Sequence, residues 1–451
     1  MKIKIIYFLL LFFFIKVSSQ VPAMVKDVTY TPVSVVDNWQ PSPDRYKIAV
    51  KSDGIMFIYS VKGLRKVLPS GLNDNSFGNL GFQTNVIQWL DVYSRIVIKG
   101  QYIYLSNNTE IGRYDFNGNL DLSFGSNGKV SLAGIQSFNV NEDQSIYVWG
   151  GNIIKKLTPS GMIDSSFSEI GSVSTYSVTN DNKLIIYKTT NTDSVFRYDS
   201  QGNLDSSFAN NGQLTPISVG ETGSISSLRA VPTGEIIVTL AKISGGTTSY
   251  YSKKYLINGN LDTAFGVNGT LTPSLGEVVF DGNGNMLKIS FDRVWRYTPN
   301  GMSDTTFHAG TSSFYVPVGS GGIPGGGIGI NYLVDVFVVN SDKLLVLRTE
   351  RLSLNMRNYI MDQYVKVTTT LNTSEVNSKN ELSFNNPFDN ELTFNTNEKI
   401  KQVEIFDESG RLVLKEINKN KLNTAHLTRG IYFIKSTTQS GKVISKKAIK
   451  N

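Results

Sequence analysis

Seven short apolar runs recur along the chain: "GIMFIY", "QYIYL", "SIYVW", "KLIIY", "EIIVTL", "NMLKISF" and "KLLVL". Each is strand length, and no 3.6-residue period connects them, so strands are predicted throughout. Polar, turn-rich stretches follow all but the last. Aligned on one glycine these read "KVLPSGLNDNSFG", "RYDFNGNLDLSFG", "KLTPSGMIDSSFS", "RYDSQGNLDSSFA", "KYLINGNLDTAFG" and "RYTPNGMSDTTFH".

The glycines are Gly71, Gly118, Gly161, Gly202, Gly259 and Gly301, with spacings of 47, 43, 41, 57 and 42 residues. A period in the forties without helical patterning predicts one four-stranded sheet per repeat, hence an all-β chain folded as a β-propeller. Counting the apolar runs gives seven blades over residues 26–368. Six is the alternative count, with the last strand closing the ring.

Each repeated position has a physical reading. The glycine follows Ser, Asn or Gln, the chemistry of a tight turn at positive φ, where a β-carbon costs about 1–2 kcal/mol. Five residues earlier stand Lys66, Arg113, Lys156, Arg197, Lys254 and Arg296; three residues later stand Asp74, Asp121, Asp164, Asp205, Asp262 and Asp304. If the turn is a hairpin, these opposite charges face each other across strands. The competing reading closes an Asx turn, each aspartate bonding its own backbone. Phe77, Phe124, Phe167, Phe208, Phe265 and Phe307 are expected to wedge between blades, each burial contributing about 2–3 kcal/mol.

The repeat resembles the delta-60 class of β-propeller proteins, whose "GxLDxSFGxxG" hallmark is matched best by "GNLDLSFGSNG" and "GNLDTAFGVNG". Asn73 stands in the leucine place of the first copy, and Ser168 and Ala209 replace the glycine after Phe in the third and fourth. The resemblance covers about residues 50–310 and implies a fold, with no assigned activity.

Past residue 368 the repeat disappears. Residues 369–380 are polar and read as a linker. Residues 381–451 alternate apolar and polar positions between turns such as "ESG" and "QSG", which suits a small β-sandwich of immunoglobulin-like (Ig-like) type. The pieces "NNPFDNEL", "VEIFDESGRLV", "LTRGIYFIK" and the final "KKAIK" resemble the type A C-terminal sorting domain of proteins exported by the type IX secretion system. Asn386, Pro387, Gly410, Gly430, Tyr432, Lys446 and Lys447 carry the match. The resemblance implies as partners a translocon and a sorting protease, removal of the domain, and a cargo anchored at the outer-membrane surface or released.

The start agrees with export. Lys2 and Lys4 precede an apolar run from Ile5 to Ile15, too short for a membrane span of about 20 residues, and cleavage is expected between Ser19 and Gln20. No transmembrane segment is expected after its removal.

The formal charge of +7 changes little, because residues 20–372 carry no net charge. The excess sits in the leader and the tail, which argues against a nucleic-acid partner. No cysteine is present, so packing alone must stabilise the exported chain.

Catalytic chemistry is sparse. His308 and His426 are the only histidines and lie in different predicted domains, so neither a metal centre nor a cofactor is expected. Asp115, Asn117, Asn119 and Asp121 alternate as in calcium loops, but other copies put Leu68, Thr158, Leu256 or Thr298 in the Asp115 place. "VGSGGIPGGGIGI" fits no phosphate-loop register.

Residues repeated six times are expected to serve stability, so a ligand site is sought where the repeat breaks. The long fifth repeat carries Tyr250 and Tyr251, and the stretch after the sixth carries Phe314 and Tyr315. These four are the candidate binding residues of a non-catalytic surface protein recognising a glycan or another protein. The rival reading is a secreted propeller enzyme, a polysaccharide lyase or glycoside hydrolase using an acidic pair.

Overall fold

The computed structural model describes residues 21–35, 46–88, 90–188, 193–217, 223–317, 321–322, 328–329, 332–353, 356–369, 383–396, 399–408, 410–439 and 443–451. The export leader with Ser19 and Gln20 lies outside them, as does the linker beyond Thr369 and most of "VGSGGIPGGGIGI". The chain divides into two compact units, one spanning Lys26–Lys366 and the other including Val367–Asn451.

Among the described residues the larger unit is a ring of seven antiparallel sheets, beside a separate two-stranded one of Gly321–Gly322 and Ile328–Gly329. Blade 2 shows the plan: Arg95–Lys99, Tyr102–Ser106, Glu110–Tyr114 and Lys129–Ser131 pair in chain order. Blades 1, 4, 5 and 6 repeat it over residues 46–83, 175–214, 223–271 and 279–315. In blade 3 the fourth strand shrinks to a bridge between Ile154 and Ile170. The second strands of blades 1, 2 and 4, Met56–Ser60, Tyr102–Ser106 and Leu184–Lys188, are buried at four of their five positions, because a neighbouring blade covers each face. Their apolar runs are therefore continuous rather than alternating.

Closure is visible in the packing. Phe57, Tyr59 and Phe77 of blade 1 share a core with Ile103, Leu105 and Tyr114 of blade 2. Each blade packs on the next in this way through blade 6. Phe314 of blade 6 then meets Tyr364 of blade 7 at 4.8 Å between ring centroids. Finally Leu345, Leu347, Tyr359 and Met361 of blade 7 join Tyr46, Met56, Ile58 and Val67 of blade 1. The ring thus has seven blades, and the alternative count of six is excluded.

Blade 7 is assembled from both ends of this unit. Leu333–Asn340, Lys343–Ser353 and Met356–Thr369 form three strands, and Val33–Ser34 pairs with Met361 and Ile360 as an outer strand. The repeat motif absent after "KLLVL" is supplied by "DVTYT", Asp27–Thr31. The Asp27 N–H donates to the Gln363 carbonyl at 2.8 Å, as Asp121 does to Arg113 at 2.9 Å. Thr29 donates through its N–H and hydroxyl to Asp27 Oδ1, as Ser123 does to Asp121 Oδ1. Tyr30 is buried in the place of the repeated phenylalanine. Gln363 Nε2 donates to Asp27 Oδ2 at 2.7 Å, taking the part of the basic residue.

The C-terminal unit is two sheets over one core. Ser383–Phe384, Glu391–Asn395 and Lys421–Asn423 form one; Leu412–Ile417, Ile400–Asp407, Gly430–Thr438 and Val443–Lys450, in that spatial order, form the other. Phe388, Leu392, Phe394 and Leu422 pack against Val403, Ile405, Tyr432, Ile434 and Ala448 between them.

Candidate functional site

The two ends of the ring carry different chemistry. One end holds the six repeated turns with their Gly, Asp and Phe. The other holds the hairpins joining second to third strands and the crossings between blades.

At the repeat end every conserved letter has a partner. Lys66 and Asp74, Arg113 and Asp121, Lys156 and Asp164, Arg197 and Asp205, Lys254 and Asp262, and Arg296 and Asp304 form ion pairs of 2.7–3.5 Å. Both sequence readings of the aspartate hold at once. In Asp121, Oδ2 takes Arg113 while Oδ1 accepts from the N–H and hydroxyl of Ser123. The cation also reaches the next blade: Arg113 Nη1 donates to the Pro159 carbonyl at 2.6 Å, and Lys156, Arg197 and Lys254 donate to Ser200, Ile257 and Pro299. The guanidinium groups of Arg113, Arg197 and Arg296 lie 4.6–4.8 Å from the centroids of Phe124, Phe208 and Phe307.

The six repeat glycines have φ between +78° and +87°. A β-carbon on Gly161 would stand 2.8 Å from the Phe124 ring of the preceding blade, and Gly118, Gly202 and Gly301 sit likewise against Phe77, Phe167 and Phe265, whereas Gly259 lies against Ala209. A latch completes the joint. The N–H after the phenylalanine donates across the junction, Gly125 to Ser160, Ser168 to Gln201, Ala209 to Asn258 and Gly266 to Asn300, at 2.7–2.8 Å. The N–H alone makes the latch, so Ser168 and Ala209 keep it, although Ala209 holds φ +46° where Gly125 and Gly266 stand at +57° and +58°. At the closing junction Thr31 donates to Ser70 at 2.7 Å, and a β-carbon on Gly71 would fall 1.9 Å from the Thr31 carbonyl oxygen.

The clasps of Asp74, Asp121, Asp164, Asp205 and Asp304 hold these aspartates ionised. In Asp74 and Asp164 the Ser76 or Ser166 hydroxyl is the largest influence, and it lowers the pKa. In Asp121, Asp205 and Asp304 burial opposes ionisation but is outweighed by Ser123, Ser207 or Thr306 and by the paired arginine. Asp205, which Lys183 also approaches, is drawn down to about 2.

A cleft of about 490 Å³ between blades 4 and 5 is lined by Lys183, Arg197, Ser207, Glu235 and Ile257. Its guanidinium is consumed by Asp205, Ser207 and the Ile257 carbonyl, so it belongs to the clasp. Among the described residues no three His, Asp or Glu side chains gather as metal ligands. Asp115 spends its carboxylate on the N–H groups of Asn117 and Asn119 and the Asn119 side chain.

At the hairpin end the four aromatic candidates separate. Successive strand residues face opposite sides, so adjacent aromatics cannot share a surface. Tyr251 packs toward blade 4 with Lys253 above it, while Tyr250 faces blade 6 and is 47% exposed. Phe314 corrects the sequence reading: it is 1% exposed, held between Phe307 and Tyr364. Tyr315 is 38% exposed and pairs with Arg293 on the face turned toward blade 5.

Phe291 was not foreseen. It lies 85% exposed at the tip of the blade 6 hairpin with φ +53°, where the corresponding turns of blades 3 and 5 use Gly151–Asn152 and Gly245–Gly246. A bulky side chain is strained in that conformation. Its carbonyl accepts from Leu333 N–H, and that of Asp292 from Val316 N–H, fixing the tip to the crossing into blade 7. The sequence signal was a phenylalanine at a two-residue turn.

In the C-terminal unit, Asn386 Oδ1 accepts from Ile449 N–H and its Nδ2 donates to the Lys447 carbonyl, tying Asn386 and Pro387 to the last strand. Gly410 turns at φ +79° between Asp407 and Arg411. Tyr432 is buried and donates to the Thr428 carbonyl at 2.7 Å. Gly430 lies on the inner strand Gly430–Thr438, and Lys446 and Lys447 on the edge strand Val443–Lys450 paired to it.

Residues 384–451 match the family described as secretion system C-terminal sorting domain. No curated protein matches the sequence. Among solved structures the chain is similar to the N-terminal domain of Nup159, at 11% identity, TM-score 0.45, and coverage of 77% of this chain and 97% of that one. It is also similar to the Pan2 WD40 domain of Neurospora crassa, at 10% identity, TM-score 0.42, and coverage of 75% and 97%. A third similar structure is the extracellular domain of a hybrid two component system from B. thetaiotaomicron, at 11% identity, TM-score 0.37, and coverage of 94% and 57%. The chain thus joins a seven-bladed ring to a tail matching the secretion system C-terminal sorting domain, the mark of a protein exported to the cell surface or beyond.

Proposed function

We propose that this protein is a non-catalytic surface binding or adhesion propeller of the delta-60 repeat class. Residues 1–19 are its export leader, 26–368 the propeller, 369–380 a linker and 381–451 a sorting domain read by the type IX translocon and removed by its protease. The cargo then stays at the outer-membrane surface or leaves the cell.

One observation carries this reading. The repeated residues are consumed in joining blades, whereas the exposed aromatics stand on the irregular hairpin end. Rigid loops bearing aromatics are the usual seat of recognition.

The test is a binding screen of the full chain against glycans and surface proteins, beside a variant trimmed at residues 243–248. Binding lost on trimming supports the reading. Binding untouched by trimming, or a polysaccharide shortened during the assay, overturns it.

A further inference from the structure

The strand register brings two separate parts of the sequence to one place. On blade 5, Ala241 and Tyr250 are paired neighbours, on the same face as Thr239 and Ser252 and as Ile237, which packs with blade 6. On blade 6, Met286 and Tyr297 pack toward blade 5. The same face carries the pair Lys288 and Trp295 and, one step nearer the hairpin end, Ser290 and Arg293, with Ser313 and Tyr315 on the fourth strand. Tyr250, Trp295 and Tyr315 therefore stand on the facing sides of one interblade junction whose mouth lies at the hairpin end, with Phe291 exposed on the adjoining tip.

The charges at this mouth are unbalanced. Among the described residues neither Lys288 nor Arg293 has a carboxylate within ion-pair distance; Arg293 only reaches the Ser313 hydroxyl, at 3.4 Å. Glu277, on the crossing between the two blades, is already paired with Arg229. Asp292 is the one acid on the hairpin tip. The repeat end differs: there each of the six repeated cations has its aspartate.

Resting on the surface-binding reading above, we propose that this mouth is a subsite for an acidic polysaccharide. Tyr250, Phe291, Trp295 and Tyr315 stack on sugar faces, and Arg293 and Lys288 receive carboxylate or sulfate groups. Aromatic rings offer a flat apolar surface that matches a pyranose face, and guanidinium suits planar anions. A phosphate-dense polymer is disfavoured because residues 20–372 are neutral overall, so only a local pair of cations is on offer.

The full chain is titrated by calorimetry with polygalacturonate and dextran sulfate, which separate the two anion sources, and with neutral dextran and single-stranded DNA. At least one acidic polysaccharide is expected to bind, with Arg293→Gln and Tyr315→Ala each weakening it about tenfold. Asp292→Asn is expected to tighten it. Phe291→Gly is the sharpest variant: relieving the positive φ should leave or raise the melting temperature while weakening binding, which a structural role would not produce.

Equal binding of neutral dextran would overturn the acidic assignment and leave the binding-protein reading standing. DNA bound as tightly, and lost in the same variants, would overturn the choice of polysaccharide. Capture of a protein ligand alone would remove the subsite; no ligand of any class would remove both readings.

Discussion

At one end of the ring the chain makes the same turn six times, and the four junctions from blade 2 to blade 6 are each joined by a cation shared with the next turn and an N–H latch, with the turn glycine packed against the preceding blade. At the other end nothing is repeated. Blade 5 extends its hairpin strands to nine residues where most blades use five, and blade 6 places a phenylalanine where glycine would be relaxed. The difference teaches where a mutation should be felt. Repetition here reports interfaces between blades, and departure from it reports freedom to meet something else.

The comparison breaks most easily at the split blade. Tyr30→Ala removes the wedge that closes the ring and should cost about 3–5 kcal/mol, as large aromatic truncations in cores do. Thermal or denaturant melting reads this directly. A loss below about 1 kcal/mol would mean the N-terminal segment is an accessory rather than the seventh repeat.

The two ends can next be set against each other with one chemical change. Gly161→Ala meets both positive φ and the Phe124 ring, and should cost about 2 kcal/mol or more. Gly245→Ala at the blade 5 tip meets positive φ alone, with nothing within 4 Å of the added carbon, and should cost about 1 kcal/mol. Equal melting losses would erase the distinction.

Arg113→Met keeps bulk while leaving Asp121 and the Pro159 carbonyl without their donor, at a cost of about 1–3 kcal/mol. The smallest effect is with pH. Asp74, Asp121, Asp164, Asp205 and Asp304 have lowered folded pKa values, so their stabilisation is complete above the unfolded carboxylate range and lost as pH falls through the folded values. The melting temperature should hold down to about pH 4 and then fall toward about pH 2, where Asp205 protonates. A fall that begins near neutrality would assign acid sensitivity to other groups.

Much of the fold was legible because each repeat writes its interface in one contiguous cassette: turn glycine, aspartate, phenylalanine. The seventh blade was legible from its "KLLVL" run, but its closing cassette was not, because "DVTYT" stands at the opposite end of the unit from its strands, with tyrosine for phenylalanine and Gln363 for the cation. The candidate site was half legible. Breaks in the repeat pointed to Tyr250 and Tyr315, which stand exposed, and equally to Tyr251 and Phe314, which strand alternation turns toward blade 4 and into the blade 6–7 core. Phe291 stayed hidden because exposure and left-handed φ are properties of the folded turn, and its letters resemble any strand end.

The central claim is a closed seven-bladed ring held by its repeats. Hydrogen exchange on the full chain, native beside Tyr30→Ala, tests it most directly. Protection should fall together in residues 46–67 and 343–366, the two sides of the junction, while the hairpin at 243–248 exchanges freely in both proteins. Unchanged protection on both sides of that junction would contradict the ring.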